Sequence, residues 1–357
     1  MNNSLDNFDS KKVAKILLKW FDKKGRNLPW RKVLKSKKNP YYVWISEIML
    51  QQTTVNAVIP RFKSFIKRWP NIKKLSLASI DEILHEWQGL GYYTRAHNIH
   101  RTARIINNDF GGKLPRDSSS LKKLPGIGDY TAGAVASIAF LEPILPIDVN
   151  IQRVLARIKG IYLNDKKFKS MIRDFASSFV EINRPGDLTE AFMDLGATLC
   201  KLNNPKCSYC PISKYCISFN KKITNKIPGK SMSKARSRKY GVAFFAINQR
   251  GEVLLRKRKN QNIFNGMMEL PMTPLSEKIW TPDSWTKYYP VKGNWNDTKL
   301  SYKGPLSGFE LKLSILFTRV TTREKKHWFS LSEMDNYALP SVFKKIIDLV
   351  EKNFLKN

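Results

Sequence analysis

The sequence predicts a multidomain α and α/β protein: an all-helical first part followed by a smaller mixed α/β part. Three observations carry that expectation. The chain's 357 residues are enough to bury two hydrophobic cores. Apolar residues recur at helical spacing up to about residue 220, and near residue 240 their period changes to two. Between these regions, residues 221–239 are rich in Lys, Ser and Arg and contain Pro228 and Gly229, a texture that reads as a solvated linker.

Taken in order, Val13, Ile16, Leu17, Trp20 and Phe21 form one helical stripe over residues 11–24, and similar stripes run through 42–57, 58–69 and 94–107. Further helices are predicted at 130–140, 151–159, 168–182 and 188–202, separated by short Pro-, Gly- and Asn-containing segments. Beyond the linker, residues 240–247, 252–256 and 309–320 are rich in β-branched and aromatic residues. Phe309, Leu311, Leu313 and Ile315 alternate with polar partners, and a closing helix is predicted at 342–354.

Lys and Arg number 63 against 29 Asp and Glu, a formal net charge of +34 spread along most of the chain. Such a balance favours a polyanionic partner, nucleic acid first, although AT-rich coding also enriches Lys, Asn and Ile. Residues 1–10 hold no signal-type apolar core, and no later stretch is both uncharged and long enough to span a bilayer. A soluble, cytoplasmic protein with no membrane partner is expected. All four cysteines fall within residues 200–216, which in a reducing compartment points to a metal or cluster site rather than disulfides.

Four groups of residues carry chemistry. Leu124-Pro125-Gly126-Ile127-Gly128-Asp129 lies between helical stretches and reads as a helix-hairpin-helix. Gly126 and Gly128 would let the backbone approach a strand, and the amides opening the next helix could bind a phosphate oxygen irrespective of base sequence. A plain helix-helix turn is the alternative. The spacing Cys200-x6-Cys207-x2-Cys210-x5-Cys216 offers four thiolates on one loop, suited to an iron-sulfur cluster or to zinc. Glu47 sits among Val43, Trp44 and Ile48, where apolar neighbours would raise its proton affinity toward neutrality; a solvated helix-face glutamate is the bland alternative. Asp148 immediately precedes a helix and reads either as a cap or as a second carboxylate. Cleavage of a glycosidic bond uses two carboxyl groups in contrasting environments, one protonating the leaving group and one stabilising the sugar cation.

These segments, with Trp87-Gln88-Gly89-Leu90-Gly91-Tyr92-Tyr93-Thr94-Arg95-Ala96 and Met193-Asp194-Leu195-Gly196-Ala197, resemble the adenine DNA glycosylase (MutY) family over residues 11–220. The resemblance implies a helix-hairpin-helix glycosylase domain at 1–220. Within it, Cys200, Cys207, Cys210 and Cys216 would hold a structural 4Fe-4S cluster on the 200–216 loop, with zinc the lesser alternative. A linker at 221–238 and a Nudix-like domain at 239–357 follow, the latter resembling its family in Gly266-Met267-Met268-Glu269-Leu270-Pro271. By resemblance Glu47 protonates N7 of a flipped adenine, Asp148 stabilises or traps the sugar cation, and Asn150 supports that site. Related bifunctional lyases carry lysine where this chain has Tyr130, and a tyrosine forms no Schiff base, so base removal without strand cleavage is expected. Arg31 and Glu190 match positions lining the adenine pocket. Gln52 and Tyr92 match residues that fill the gap or stack on the opposite base, and Ser307 matches a contact to 8-oxoguanine. The chain departs from the family at Gly308, commonly histidine, at Val149, usually glycine, and at Asp129, often arginine or lysine.

The expected activity is hydrolysis of the N-glycosidic bond of adenine mispaired with 8-oxoguanine or guanine in double-stranded DNA, performed by a monomer during base-excision repair. The rivals are a T(U)·G mismatch glycosylase of the same superfamily, which lacks the second domain, and a cluster-bearing DNA-binding protein without catalysis. A nucleotide pyrophosphohydrolase is disfavoured, because the stretch after Gly266 lacks the clustered glutamates that hold Mg²⁺ in working Nudix enzymes.

Overall fold

The structure, a computed structural model, describes residues 8–31, 33–34, 37–180, 183–229, 237–259, 263–306, 308–324 and 327–355. Packing divides the chain into two compact units, Met1–Leu77 with Arg101–Met232 and Ala78–His100 with Ser233–Asn357. Among the described residues no helix is long and apolar enough to cross a membrane.

The first unit is helical, with principal helices Ser10–Lys24, Pro40–Leu50, Val55–Arg68, Asp129–Phe140, Val149–Lys159, Phe168–Ser177 and Pro185–Thr198. Local chemistry sets their starts. Asp9 accepts the Lys12 amide, Asn39 accepts the Tyr41 amide ahead of a proline in the first turn, and Pro185 opens the last helix. Val13, Leu17, Ile151, Leu155, Leu188 and Phe192 share one buried core that draws the first, fifth and seventh of these helices together. A short hairpin pairs Val33–Leu34 with Lys37–Lys38 just before the helix that starts at Pro40.

Several boundaries differ from the expected ones for identifiable reasons. The stripe over 42–57 is broken at Gln52, whose φ of +57° is left-handed, and helix resumes only at Val55. The stretch expected at 188–202 begins at Pro185 and stops at Thr198, where the Cys200 amide turns back to the Leu195 carbonyl at 2.7 Å. Within the expected linker, Ile227 is 1% exposed, and the Leu163 amide donates to the Pro228 carbonyl at 2.6 Å.

The second unit is built on a five-stranded mixed sheet in the order Asn296–Leu306, Phe309–Val320, Ser237–Asn248, Glu252–Leu254, Trp328–Ser330. The two long central strands are parallel, in register from Ser237↔Phe309 to Asn248↔Val320, and the remaining pairs are antiparallel. Leu311, Leu313 and Ile315 are buried, as their alternation predicts. The strand Asn296–Leu306 was not expected. It is polar, contains Gly304 and Pro305, and lies at the sheet edge, where such residues are tolerated. The closing helix Ser341–Val350 buries Val342, Phe343, Ile346, Ile347 and Val350 and gives way to a wider turn over Glu351–Leu355. Within this unit the helix Ile80–Glu86 starts on a Ser79/Glu82 capping box, and Asp81 pairs with Lys257 at 2.6 Å. Gln88 Nε2 donates to the Tyr337 carbonyl at 2.8 Å, and the Tyr93 and Phe264 rings meet edge to face.

Candidate active site

The helix Pro40–Leu50 is buried on most sides through Val43, Trp44, Ile45, Ile48 and Met49, so Glu47, part of the same helix, is only 6% exposed. The helix Asp129–Phe140 brings Tyr130 to it in its first turn, and Tyr130 Oη donates to Glu47 Oε2 at 2.9 Å. Burial is the largest influence on Glu47 and pushes it up to about 7; the negative charges of Asp148 and Glu190 add to this, while the Tyr130 hydrogen bond and Arg31 oppose it. Burial, followed by the charges of Glu47 and Asp148, raises the Tyr130 hydroxyl well above the usual phenol range, so it stays a donor.

The cap expected at Asp148 is present. Asp148 caps the helix Val149–Lys159, with Oδ1 accepting the Ile151 amide at 2.6 Å, while Oδ2 accepts Asn150 Nδ2 at 2.9 Å. Asn150 is held in turn: its Oδ1 accepts Arg153 Nη2 at 2.9 Å, and the same guanidinium donates to the Gly196 and Cys200 carbonyls, each at 2.8 Å. Gly196 makes room for this contact, since a Cβ there would lie 2.7 Å from Asn150 Cβ.

Arg31 and Glu190 also meet. Arg31 grips Asp194 through Nη1 and Nη2, both at 2.8 Å, and its Nε lies 3.3 Å from Glu190 Oε1. Arg26 adds a 2.7 Å bond from Nε to Asp194 Oδ1, and Lys38 Nζ reaches Glu190 Oε2 at 2.7 Å. Sequence reasoning assigned no role to Arg26, Lys38 or Asp194. Asp194 stood inside a quoted motif, but nothing singles out Lys38 in a segment crowded with lysines.

At the hairpin, Gly126 adopts φ +76° and Gly128 precedes the Tyr130 helix, with open space where a Cβ would project. Packing within the protein therefore does not require glycine at 128. Asp129 is paired with Lys122, and Val149 is 74% exposed, so neither departure disturbs a buried contact. Gln52 is exposed, while its neighbour Gln51 donates from Nε2 to Thr131 Oγ1 at 3.2 Å.

In the second unit Tyr92 is 42% exposed with φ +47°, on a loop where Arg95 Nη2 donates to the Leu90 and Gly91 carbonyls at 2.8 and 3.1 Å. Ser307 lies outside the described residues. Gly308 has φ +94°, a conformation that would strain a histidine, and nothing stands within 4 Å of where its Cβ would be.

Cys200, Cys207, Cys210 and Cys216 line one small cavity of about 20 Å³ together with Arg157, Lys206 and Phe219. No histidine or carboxylate shares that lining, and a set of soft thiol donors fits an iron-sulfur cluster. Among the described residues, no group of three or more His, Cys, Asp or Glu side chains is placed to hold a metal ion. Burial pushes Cys210 up to about 12 and Cys216 to about 11, so a metal group held by these thiols would displace protons. Arg157 is 1% exposed and organises the loop: Nη1 lies 3.3 Å from Cys200 Sγ and donates to the Lys201 carbonyl at 2.6 Å. Its Nη2 and Nε reach the Leu202 and Ile227 carbonyls at 3.0 and 2.9 Å.

The family model described as HhH-GPD superfamily base excision DNA repair protein matches residues 45–178, and a NUDIX domain model matches residues 242–349. An adenine DNA glycosylase of Buchnera aphidicola subsp. Acyrthosiphon pisum is 36% identical over 352 residues, covering 95% of this chain and 98% of that protein. The adenine DNA glycosylase of Arabidopsis thaliana is 37% identical over 308 residues, 76% of this chain and 49% of that one. Among solved structures, a thermostable thymine-DNA glycosylase matches with a TM-score of 0.52 and 27% identity, covering 59% of this chain and 97% of that chain. A non-covalent endonuclease III–DNA complex matches with a TM-score of 0.50 and 21% identity, over 60% of this chain and 99% of that chain, a likeness of fold. These two solved structures cover 59% and 60% of this chain, whereas the Buchnera protein corresponds along 95% of it, and the chain belongs to the adenine DNA glycosylase family of helix-hairpin-helix base-excision repair enzymes.

Proposed function

We propose that this protein hydrolyses the N-glycosidic bond of adenine mispaired with 8-oxoguanine or guanine in double-stranded DNA. The observation that carries this reading is Glu47, buried, pushed up to about 7 and hydrogen-bonded by Tyr130, with Asp148 near enough to act on its charge. A carboxyl group poised near neutrality suits proton transfer to N7 of a flipped adenine. As the bond between C1′ and N9 breaks, its electrons leave with the base, and the cation forming on the sugar is stabilised or trapped by Asp148, which Asn150 orients. Water then adds at C1′, and its proton restores the Glu47 acid. Tyr130 contributes a hydroxyl in place of an amine, which supports base removal without strand cleavage.

Arg31 and Glu190 line the adenine pocket in this reading, and Gln52 and Tyr92 occupy or stack on the gap left by the flipped base. The exposed backbone at Gly126 and Gly128 receives a phosphate. The four cysteines would hold a 4Fe-4S cluster that fixes the basic loop bearing Lys201, Lys206 and Lys214 for DNA contact. We assign the glycosylase domain to residues 1–220, the linker to 221–238 and the Nudix-like domain to 239–357, with Ser307 contacting 8-oxoguanine. Gly308 presents no side chain beside it. The protein works as a monomer in the cytoplasm, on the genome.

The test is single-turnover release of adenine from A·8-oxoG and A·G duplexes, compared with thymine release from G·T and scored by alkaline cleavage at the abasic site. Adenine release that Glu47→Gln abolishes is expected. Preferential thymine release would transfer the chain to the rival activity, and binding with no base released from any mispair would favour the non-catalytic reading.

A further inference from the structure

Lys38 ends the short hairpin that precedes the Glu47 helix, pairing in register with Val33 and followed directly by the cap residue Asn39. Its side chain is 13% exposed, and its Nζ lies 2.7 Å from Glu190 Oε2 and 2.8 Å from Asp187 Oδ1. On the far side, Arg31 Nε stands 3.3 Å from Glu190 Oε1. Each oxygen of Glu190 thus faces its own cation, one supplied by the hairpin and one by the Pro29–Arg31 turn.

The two cations differ in what else they serve. Arg31 is committed to Asp194 by a bidentate pair that Arg26 reinforces. Asp187 has a second partner in Arg184, which also pairs with Asp22. Lys38 is therefore the closer cation on Glu190, and removing it would leave that carboxylate to a longer contact with an arginine already engaged elsewhere.

We infer that Lys38 is a positioning residue for base excision: it fixes the carboxylate of Glu190 in one orientation and screens its charge from Glu47. The inference rests on the reading of Glu47 as the acid and Glu190 as a wall of the adenine pocket. The groups acting on Glu47 are Tyr130, Asp148, Glu190 and Arg31, and among them Glu190 raises its proton affinity while Arg31 lowers it. With Lys38 gone, the less screened Glu190 makes Glu47 hold its proton more tightly. The alkaline limb of the rate profile then moves to higher pH, and a loosened Glu190 slows excision.

The experiment is adenine release from an A·G duplex under single turnover, measured against pH in the full chain. It compares Lys38→Met, Lys38→Arg, Glu190→Gln and the Lys38→Met/Glu190→Gln double variant, with Glu47→Gln as control. Lys38→Met is expected to be about tenfold slower at neutral pH with its alkaline limb raised, while Lys38→Arg recovers most of the rate. In the Glu190→Gln background the same lysine change should cost less than about twofold, because both act through one carboxylate. Lys38→Gln, which keeps a donor without charge, is read in parallel should Met disturb the hairpin, and the same raised limb is expected of it. An unchanged rate and profile overturn the inference, as does an equal loss with and without Glu190. Activity surviving in Glu47→Gln overturns the acid reading and the proton-affinity half of the inference. A normal Lys38→Met beside an inactive Glu47→Gln overturns the inference alone.

Discussion

The hydroxyl of Tyr130 donates to Glu47 Oε2 at 2.9 Å, so a side chain without an amine sits against a buried carboxyl group. Because this bond favours the carboxylate, removing it raises the proton affinity of Glu47 above its value of about 7. Tyr130→Phe should move the alkaline limb of the excision rate up by about one pH unit, the size expected for one hydrogen bond of ~1.5 kcal/mol. A rate profile measured under single turnover decides it, and a limb displaced downward would contradict the arrangement.

Glu47 also makes stability depend on pH. Its folded value of about 7 lies above the ordinary 4.5, so the native state binds the proton more tightly. The contribution is fully present below pH 4.5 and is lost as pH rises through about 7. Glu47→Gln, which carries no charge to bury, should therefore match the parent below that window and exceed it above, by on the order of 3 kcal/mol. Denaturant titrations at pH 4 and pH 8 supply the comparison, and a gain that is larger at the lower pH would refute it.

Gly196 offers a steric test. A Cβ there would come within 2.7 Å of Asn150 Cβ, so Gly196→Ala should push Asn150 off its bond to Asp148 Oδ2. Small displacements at reacting groups cost up to about a hundredfold in rate. A loss of that order with duplex affinity nearly unchanged is expected from parallel excision and binding measurements, and full activity would show that the helices yield without disturbing the pair.

Arg157 joins the cysteine loop to the helical core through the Lys201, Leu202 and Ile227 carbonyls while lying 3.3 Å from Cys200 Sγ. Arg157→Met would leave those carbonyls without their buried donor, a loss of about 3 kcal/mol or more. Iron and sulfide content should fall together with the thermal midpoint. A variant that retains both would place the loop's organisation elsewhere.

These tests also mark how far the sequence could be read. Glu47, Tyr130, Asp148 and Asn150 each stand in a dense local motif, the structure brings Tyr130 to Glu47 and Asn150 to Asp148, and the helices presenting them follow from apolar spacing and caps. The cysteine loop was accessible through spacing alone. Lys38, Arg26 and Arg157 were not, because their partners lie far along the chain and a lysine or arginine is unremarkable in a sequence carrying 63 of them. The turn at Gln52 escaped because its left-handed backbone leaves the apolar stripe on both sides intact. The strand Asn296–Leu306 escaped because an edge strand draws its order from its neighbour and can remain polar.

Arg153 reaches from the side chain of Asn150 to the backbone carbonyl of Cys200, tying the oriented carboxylate to a loop that contains no reacting group. In a genetic screen, alleles altered near Cys200 would then resemble alleles altered at Asp148. Both would give a mutator phenotype with full-length protein present, and sorting them would require counting iron as well as measuring turnover.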